Sequence, residues 1–107
     1  SNIFSIFSNY IKLIIKNGLI RDGPNFILSS IIAHTRNHIG LYFIGMVLRN
    51  GANPNIYFNK RGYGNIHVLA YASLRKENFD PYFRYICNLL RMMGSDINYP
   101  TYKFSNV

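Results

Sequence analysis

The sequence predicts an all-α chain built on a recurring unit of helix followed by turn, and three observations lead there. First, an apolar helical segment closed by a basic residue and then glycine occurs three times: Ile11-Lys-Leu-Ile-Ile-Lys-Asn-Gly18, Ile44-Gly-Met-Val-Leu-Arg-Asn-Gly51 and Ile86-Cys-Asn-Leu-Leu-Arg-Met-Met-Gly94. Second, a turn-rich run follows two of these glycines, Gly51-Ala-Asn-Pro-Asn55 and Gly94-Ser-Asp-Ile-Asn98. Third, 49% of the 107 residues are hydrophobic and 15% charged, too apolar a mixture for a disordered segment.

Each element has a local reason. A first outer helix is expected near 3–17, where Ile, Phe, Tyr and Leu recur at helical spacing. Further helices are expected near 25–35, 40–50, 65–76 and 80–92. The basic residues Lys16, Arg49 and Arg91 stand in last turns, where the helix dipole favours positive charge, and Gly18, Gly51 and Gly94 supply left-handed C-terminal caps. Asn, Asp and Pro in the runs that follow favour turns through local side-chain hydrogen bonds and preset φ. An extended finger is therefore expected near 53–63, with a second beginning at 95–103 that includes Tyr99 and Tyr102. Asp80 before Pro81 reads as a helix N-cap with proline at the first helical position. Arg61-Gly-Tyr-Gly64 reads as the tip or descending arm of the finger, not as a nucleotide loop, because no phosphate-binding or dinucleotide pattern follows it.

The spacing from Gly18 to Gly51 is 33 residues and from Gly51 to Gly94 is 43. With these loops in place the chain resembles the ankyrin repeat, a unit of about 33 residues. Leu48-Arg-Asn-Gly-Ala-Asn-Pro-Asn55 and Leu90-Arg-Met-Met-Gly-Ser-Asp-Ile-Asn98 are similar to that family's outer helix and following loop. Asn65-Ile-His-Val-Leu-Ala70 is similar to its inner-helix opening, with His67 at the histidine position. The repeat motif is thus carried by Gly18, Gly51, Asn55, His67, Ala70, Gly94 and Asn98. Gly64 and Asn65 replace the family's Thr and Pro, and about ten extra residues in the second unit are most simply placed around Arg75 to Pro81. The resemblance implies a solenoid of two to three stacked helix-turn-helix repeats, in which 25–35 pairs with 40–50 and 65–76 with 80–92: a partial repeat over 1–23, a repeat with its finger over 24–63, and a repeat with an inter-helix insertion over 64–107. Such units need neighbours to bury their faces, so the chain is expected to belong to a longer array or assembly.

Catalysis finds little support. The four acids, Asp22, Glu77, Asp80 and Asp96, fall in turns or in the inter-helix segment. His34 and His38 share i, i+4 spacing but lack the Glu and further ligands of a metal site, and are read as solvated residues at a helix end. His67 is assigned a structural role, and Cys87 beside a Leu-Leu pair reads as a small buried thiol. No catalytic residue, cofactor or metal is expected. Asn98 stands in the context in which ankyrin loops are hydroxylated, but bracing of the turn is its expected role. The stretch from Ile3 to Ile20 is interrupted by Asn9, Lys12, Lys16 and Asn17, which argues against a membrane span, and it has no signal-peptide pattern.

What remains is charge and aromatic content. Twelve Lys and Arg against four Asp and Glu give a formal net charge of +8. Tyr57, Lys60, Arg61 and Tyr63 fall on one finger, Arg75 and Lys76 follow the inner helix of the same unit, and Lys103 stands in the next finger. In ankyrin-like stacks the fingers and inner helices line the surface used for partners, so the resemblance implies a non-catalytic scaffold contacting a protein with an acidic surface. The alternative is a basic module that contacts nucleic-acid phosphates without sequence preference. Abundant Ile, Asn, Tyr and Phe with no Trp matches AT-rich coding. An intracellular site, in host cytoplasm or virion if the source is a large DNA virus, is the expectation.

Overall fold

The computed structural model describes residues 2–18, 23–34, 37–78 and 80–98. These contain helices α1 (Asn2–Lys16), α2 (Gly23–His34) and α3 (His38–Arg49), strands β1 (Tyr57–Lys60) and β2 (Gly64–His67), and helices α4 (Val68–Glu77) and α5 (Tyr82–Met92). Among the described residues the protein is therefore mostly helical, and a small two-stranded sheet forms the finger. The chain separates into two units, Ser1–Asn53 and Pro54–Val107.

In the first unit α2 packs on α3. Leu28 and Ile32 of α2 and Ile44, Met46, Val47 and Leu48 of α3 are buried. Asn37 caps α3 by accepting the Gly40 N–H at 3.1 Å, which answers one of the orphan donors of a helix start. Buried Ser8 of α1 donates to the Tyr42 hydroxyl at 3.3 Å.

In the second unit α4 and α5 pack together around Val68, Leu69, Tyr71, Ala72, Phe83, Ile86, Cys87 and Leu90, all buried. The hairpin precedes them. Its antiparallel register pairs Tyr57 with His67, Phe58 with Ile66, Asn59 with Asn65 and Lys60 with Gly64. A three-residue turn over 61–63 closes it, with the Tyr63 N–H donating to the Lys60 carbonyl at 2.8 Å.

Two helices end in the same way. The Asn50 N–H reaches the Met46 and Val47 carbonyls, that of Gly51 reaches Leu48, and that of Ala52 returns to Val47. Met93, Gly94 and Ser95 repeat these bonds to Leu89 and Leu90, Arg91, and Leu90. Gly51 and Gly94 have φ of +106° and +101°, the backbone such a helix stop requires and which a side chain would strain.

A second device also recurs. Asn25 Oδ1 accepts the Asn53 N–H at 2.6 Å in the first unit, and Asn55 Oδ1 accepts the Asp96 N–H at 2.7 Å in the second. Asn53 and Asp96 each stand two residues after their capping glycine. In both units an earlier asparagine, Asn25 in the first turn of α2 and Asn55 in the turn before β1, holds the backbone of the loop that follows α3 or α5.

The structure moves several expected boundaries. The hairpin runs to His67, so α4 begins at Val68 and not near 65, because residues 64–67 are paired in β2. The difference between the two glycine spacings lies in the finger and not between the helices. Five positions separate Gly18 from the first residue of α2, whereas seventeen separate Gly51 from that of α4. At the start of α5 the Asp80 carboxylate receives the Arg75 guanidinium, and the Asp80 carbonyl accepts the Phe83 N–H at 3.0 Å. Pro81 has helical φ of −63° but is the cap residue itself, not the first residue of the helix.

Candidate functional site

An isolated two-stranded hairpin is marginal in water, so this one needs a base. Tyr71 supplies it from the buried face of α4, with 1% of its surface exposed. The rings of Phe58, Tyr63 and Phe83 each meet Tyr71 edge-on, at centroid distances of 5.3, 5.1 and 5.8 Å. Edge-to-face geometry sets the positive rim of one ring against the negative face of the next, adding to the apolar burial.

Arg75, one helical turn after Tyr71, extends the cluster. Its guanidinium lies 5.4 Å from the centroid of Phe83 and 3.1 Å from Asp80 Oδ2. The hydrogen bond to Asp80 holds the Arg75 pKa above its ordinary value, with Tyr63 adding a smaller push in the same direction. Arg75 thus braces the base of the finger.

The hairpin base is tied on its other side by His67. This residue is the N-cap of α4 and is 2% exposed; Nδ1 accepts the Leu69 N–H at 3.0 Å, and Nε2 lies 2.9 Å from Asn55 Oδ1. Since Nδ1 accepts, the ring proton sits on Nε2 and is donated to Asn55. Asn55 Nδ2 donates in turn to the Gly94 carbonyl at 3.3 Å, and Asn55 Oδ1 accepts from Asp96 as above. Burial lowers the His67 pKa from its ordinary value, while the negative charge of Asp96 opposes the shift. With both ring nitrogens engaged and the imidazole shielded, His67 holds the loop and helix start in place and has no nitrogen to offer a substrate.

The expected contact residues divide. Tyr57, Lys60, Arg61 and Tyr63 share the hairpin, with Lys60 and Arg61 at its tip. Tyr57 is 41% exposed and its ring stands edge-on to His67 at 5.3 Å. Tyr63 faces inward onto Tyr71. Lys76 ends α4 with its Nζ 4.0 Å from the exposed Glu77 carboxylate, a surface pair that contributes little. Lys103, Tyr99 and Tyr102 lie outside the described residues.

Of the repeat-motif residues, Gly18, Gly51 and Gly94 have positive φ. Ala70 is half-buried on α4, and the Asn98 N–H closes a tight turn on Asp96 Oδ1 at 3.0 Å. Cys87 is 1% exposed, with Ser73 Oγ at 3.8 Å. His34 and His38 are exposed, at the end of α2 and the start of α3. Among the described residues no three His, Cys, Asp or Glu side chains gather where they could hold a metal ion, and no helix is long and apolar enough to cross a membrane.

Sequence reasoning overlooked Tyr71, although its placement between Ala70 and Ala72 leaves one large ring flanked by small residues. It also assigned Arg91 only to the helix dipole, whereas the outer face of α5 exposes Arg84, Tyr85, Asn88, Arg91 and Met92 together. Compared with family models, with curated proteins and with solved structures, the chain matches none.

Proposed function

We propose that this chain is a non-catalytic interaction module, an ankyrin-like stack of helix pairs whose hairpin finger contacts a partner protein with an acidic surface. The observation that carries the reading is the division of labour within the finger. Phe58 and Tyr63 anchor it on Tyr71, while Lys60 and Arg61 stand at the tip and Tyr57 is exposed on β1. A rigid base lowers the ordering cost of binding, and exposed Tyr and Arg are the residue types that dominate interface energetics. The recurrence of the glycine helix stop and of the Asn-to-loop bracket supports a repeat architecture.

The test compares proteins retained by the full chain with those retained by a Tyr57→Ala/Lys60→Ala/Arg61→Ala variant, quantified by mass spectrometry. Tyr63 is left intact because it packs in the base. The reading expects a stoichiometric acidic protein whose retention falls about tenfold or more in the variant. Identical retention by both chains overturns it. So does retention of arbitrary DNA or RNA with steep loss on raising salt, the behaviour of phosphate-directed binding.

A further inference from the structure

We infer that the outer face of α5 is a second docking surface, separate from the finger, and that its occupant is an acidic amphipathic helix of a partner protein. Helix α5 buries Phe83, Ile86, Cys87 and Leu90 along one side. On the opposite side Tyr85 and Met92 are 54% and 81% exposed and share one helical face at i and i+7, with half-buried Leu89 between them along the helix. Met92 is the most exposed of the large hydrophobic side chains in the described residues.

Alongside this apolar strip, Arg84, Asn88 and Arg91 are exposed at i, i+4 and i+7. At 100° per residue the two rows adjoin, because Asn88 falls between the Arg84/Arg91 line and the Tyr85/Met92 line. The face therefore reads, across its width, as cation, amide, then thioether and phenol.

Charge complementarity selects the occupant. The sequence of α5 contains no Asp or Glu, and among the described residues no ion pair engages Arg84 or Arg91. A second copy of this face would set arginine against arginine, in a chain that already carries a formal +8. A helix with aliphatic residues at i, i+4 and i+7 beside a row of carboxylates matches both rows at once. Its aliphatic side chains cover Tyr85, Leu89 and Met92, and its carboxylates reach the two guanidinium groups, for which bidentate pairing is available. Tyr, Met and Arg are enriched at interface cores, and Met adapts to varied apolar shapes.

The experiment uses the full chain and a stapled helical peptide with leucine at four-residue spacing and glutamate on the adjoining row. Saturable binding by fluorescence anisotropy is expected, weakened about tenfold or more by Arg84→Glu/Arg91→Glu and by Tyr85→Ala/Met92→Ala. Lys60→Ala/Arg61→Ala is expected to leave it unchanged, which keeps the outcome distinct from that of the finger. A peptide with lysine in place of glutamate is expected to fail on the parent chain and to recover binding on Arg84→Glu/Arg91→Glu. The substituted side chains of α5 are exposed, and unchanged thermal midpoints verify the fold of every variant. Failure of the acidic peptide to saturate, equal affinity for the lysine peptide, or equal binding by the charge-reversed chain overturns the inference.

Discussion

Replacement of Asn55 by alanine isolates the bracket that joins the finger, the start of α4 and the loop after α5. In the native protein the Asn55 carboxamide accepts from His67 Nε2 and from the Asp96 N–H, and donates to the Gly94 carbonyl. Water replaces the carboxamide at Asp96 and Gly94, both exposed, so each of those losses is small. His67 is 2% exposed, and its Nε2–H is left buried without that partner. An orphaned buried donor costs about 1–3 kcal/mol and each of the two exposed bonds about 0.5 kcal/mol, giving roughly 2–4 kcal/mol in all. For a chain of this size that lowers the thermal midpoint by roughly 10–20 °C. Urea and thermal denaturation followed by circular dichroism measure it, at a pH well above the histidine range, with Asn65→Ala at an exposed position of β2 as the reference. Asn55→Asp, which keeps both acceptor functions, should recover most of the loss. If Asn55→Ala is no more destabilising than Asn65→Ala, the bracket does not hold the unit together as argued.

Three further outcomes follow from the same geometry. Because burial lowers the His67 pKa, the neutral ring is the native form; stability is full above the ordinary histidine value of 6.5 and declines as pH falls from there toward the lowered native value. Urea midpoints measured across that window should show the decline, and His67→Gln should flatten it. Tyr71→Ala removes the ring that Phe58, Tyr63 and Phe83 share and should cost about 3–5 kcal/mol, with Tyr71→Phe far milder, as read by urea unfolding. Cys87, 1% exposed, should react with a thiol reagent only as fast as the native protein opens, and at once in denaturant; rapid native labelling contradicts its burial between α4 and α5.

The helices were legible in the sequence because their determinants are local. Apolar spacing, a basic last turn and a capping glycine lie within a few residues of one another, and Gly51 and Gly94 have the positive φ that this pattern calls for. The hairpin was legible only as a finger. Its strands are four residues each, and what holds them is Tyr71, which no local pattern in residues 57–67 announces. Arg75 illustrates the same gap: its charge is plain in the sequence, but only the fold sets its guanidinium beside both Asp80 and Phe83.

The sequence by itself determined where helices stop, which loops turn, and that the chain carries a large positive charge with few acids to neutralise it. Tertiary structure alone decided which cations stay at the surface, which rings become a foundation, and which asparagine holds a distant loop. The physical reason is range. Capping and periodicity act over a few residues, whereas Asn55 meets Gly94 and Asp96 only after α4 and α5 have folded the intervening chain back on itself.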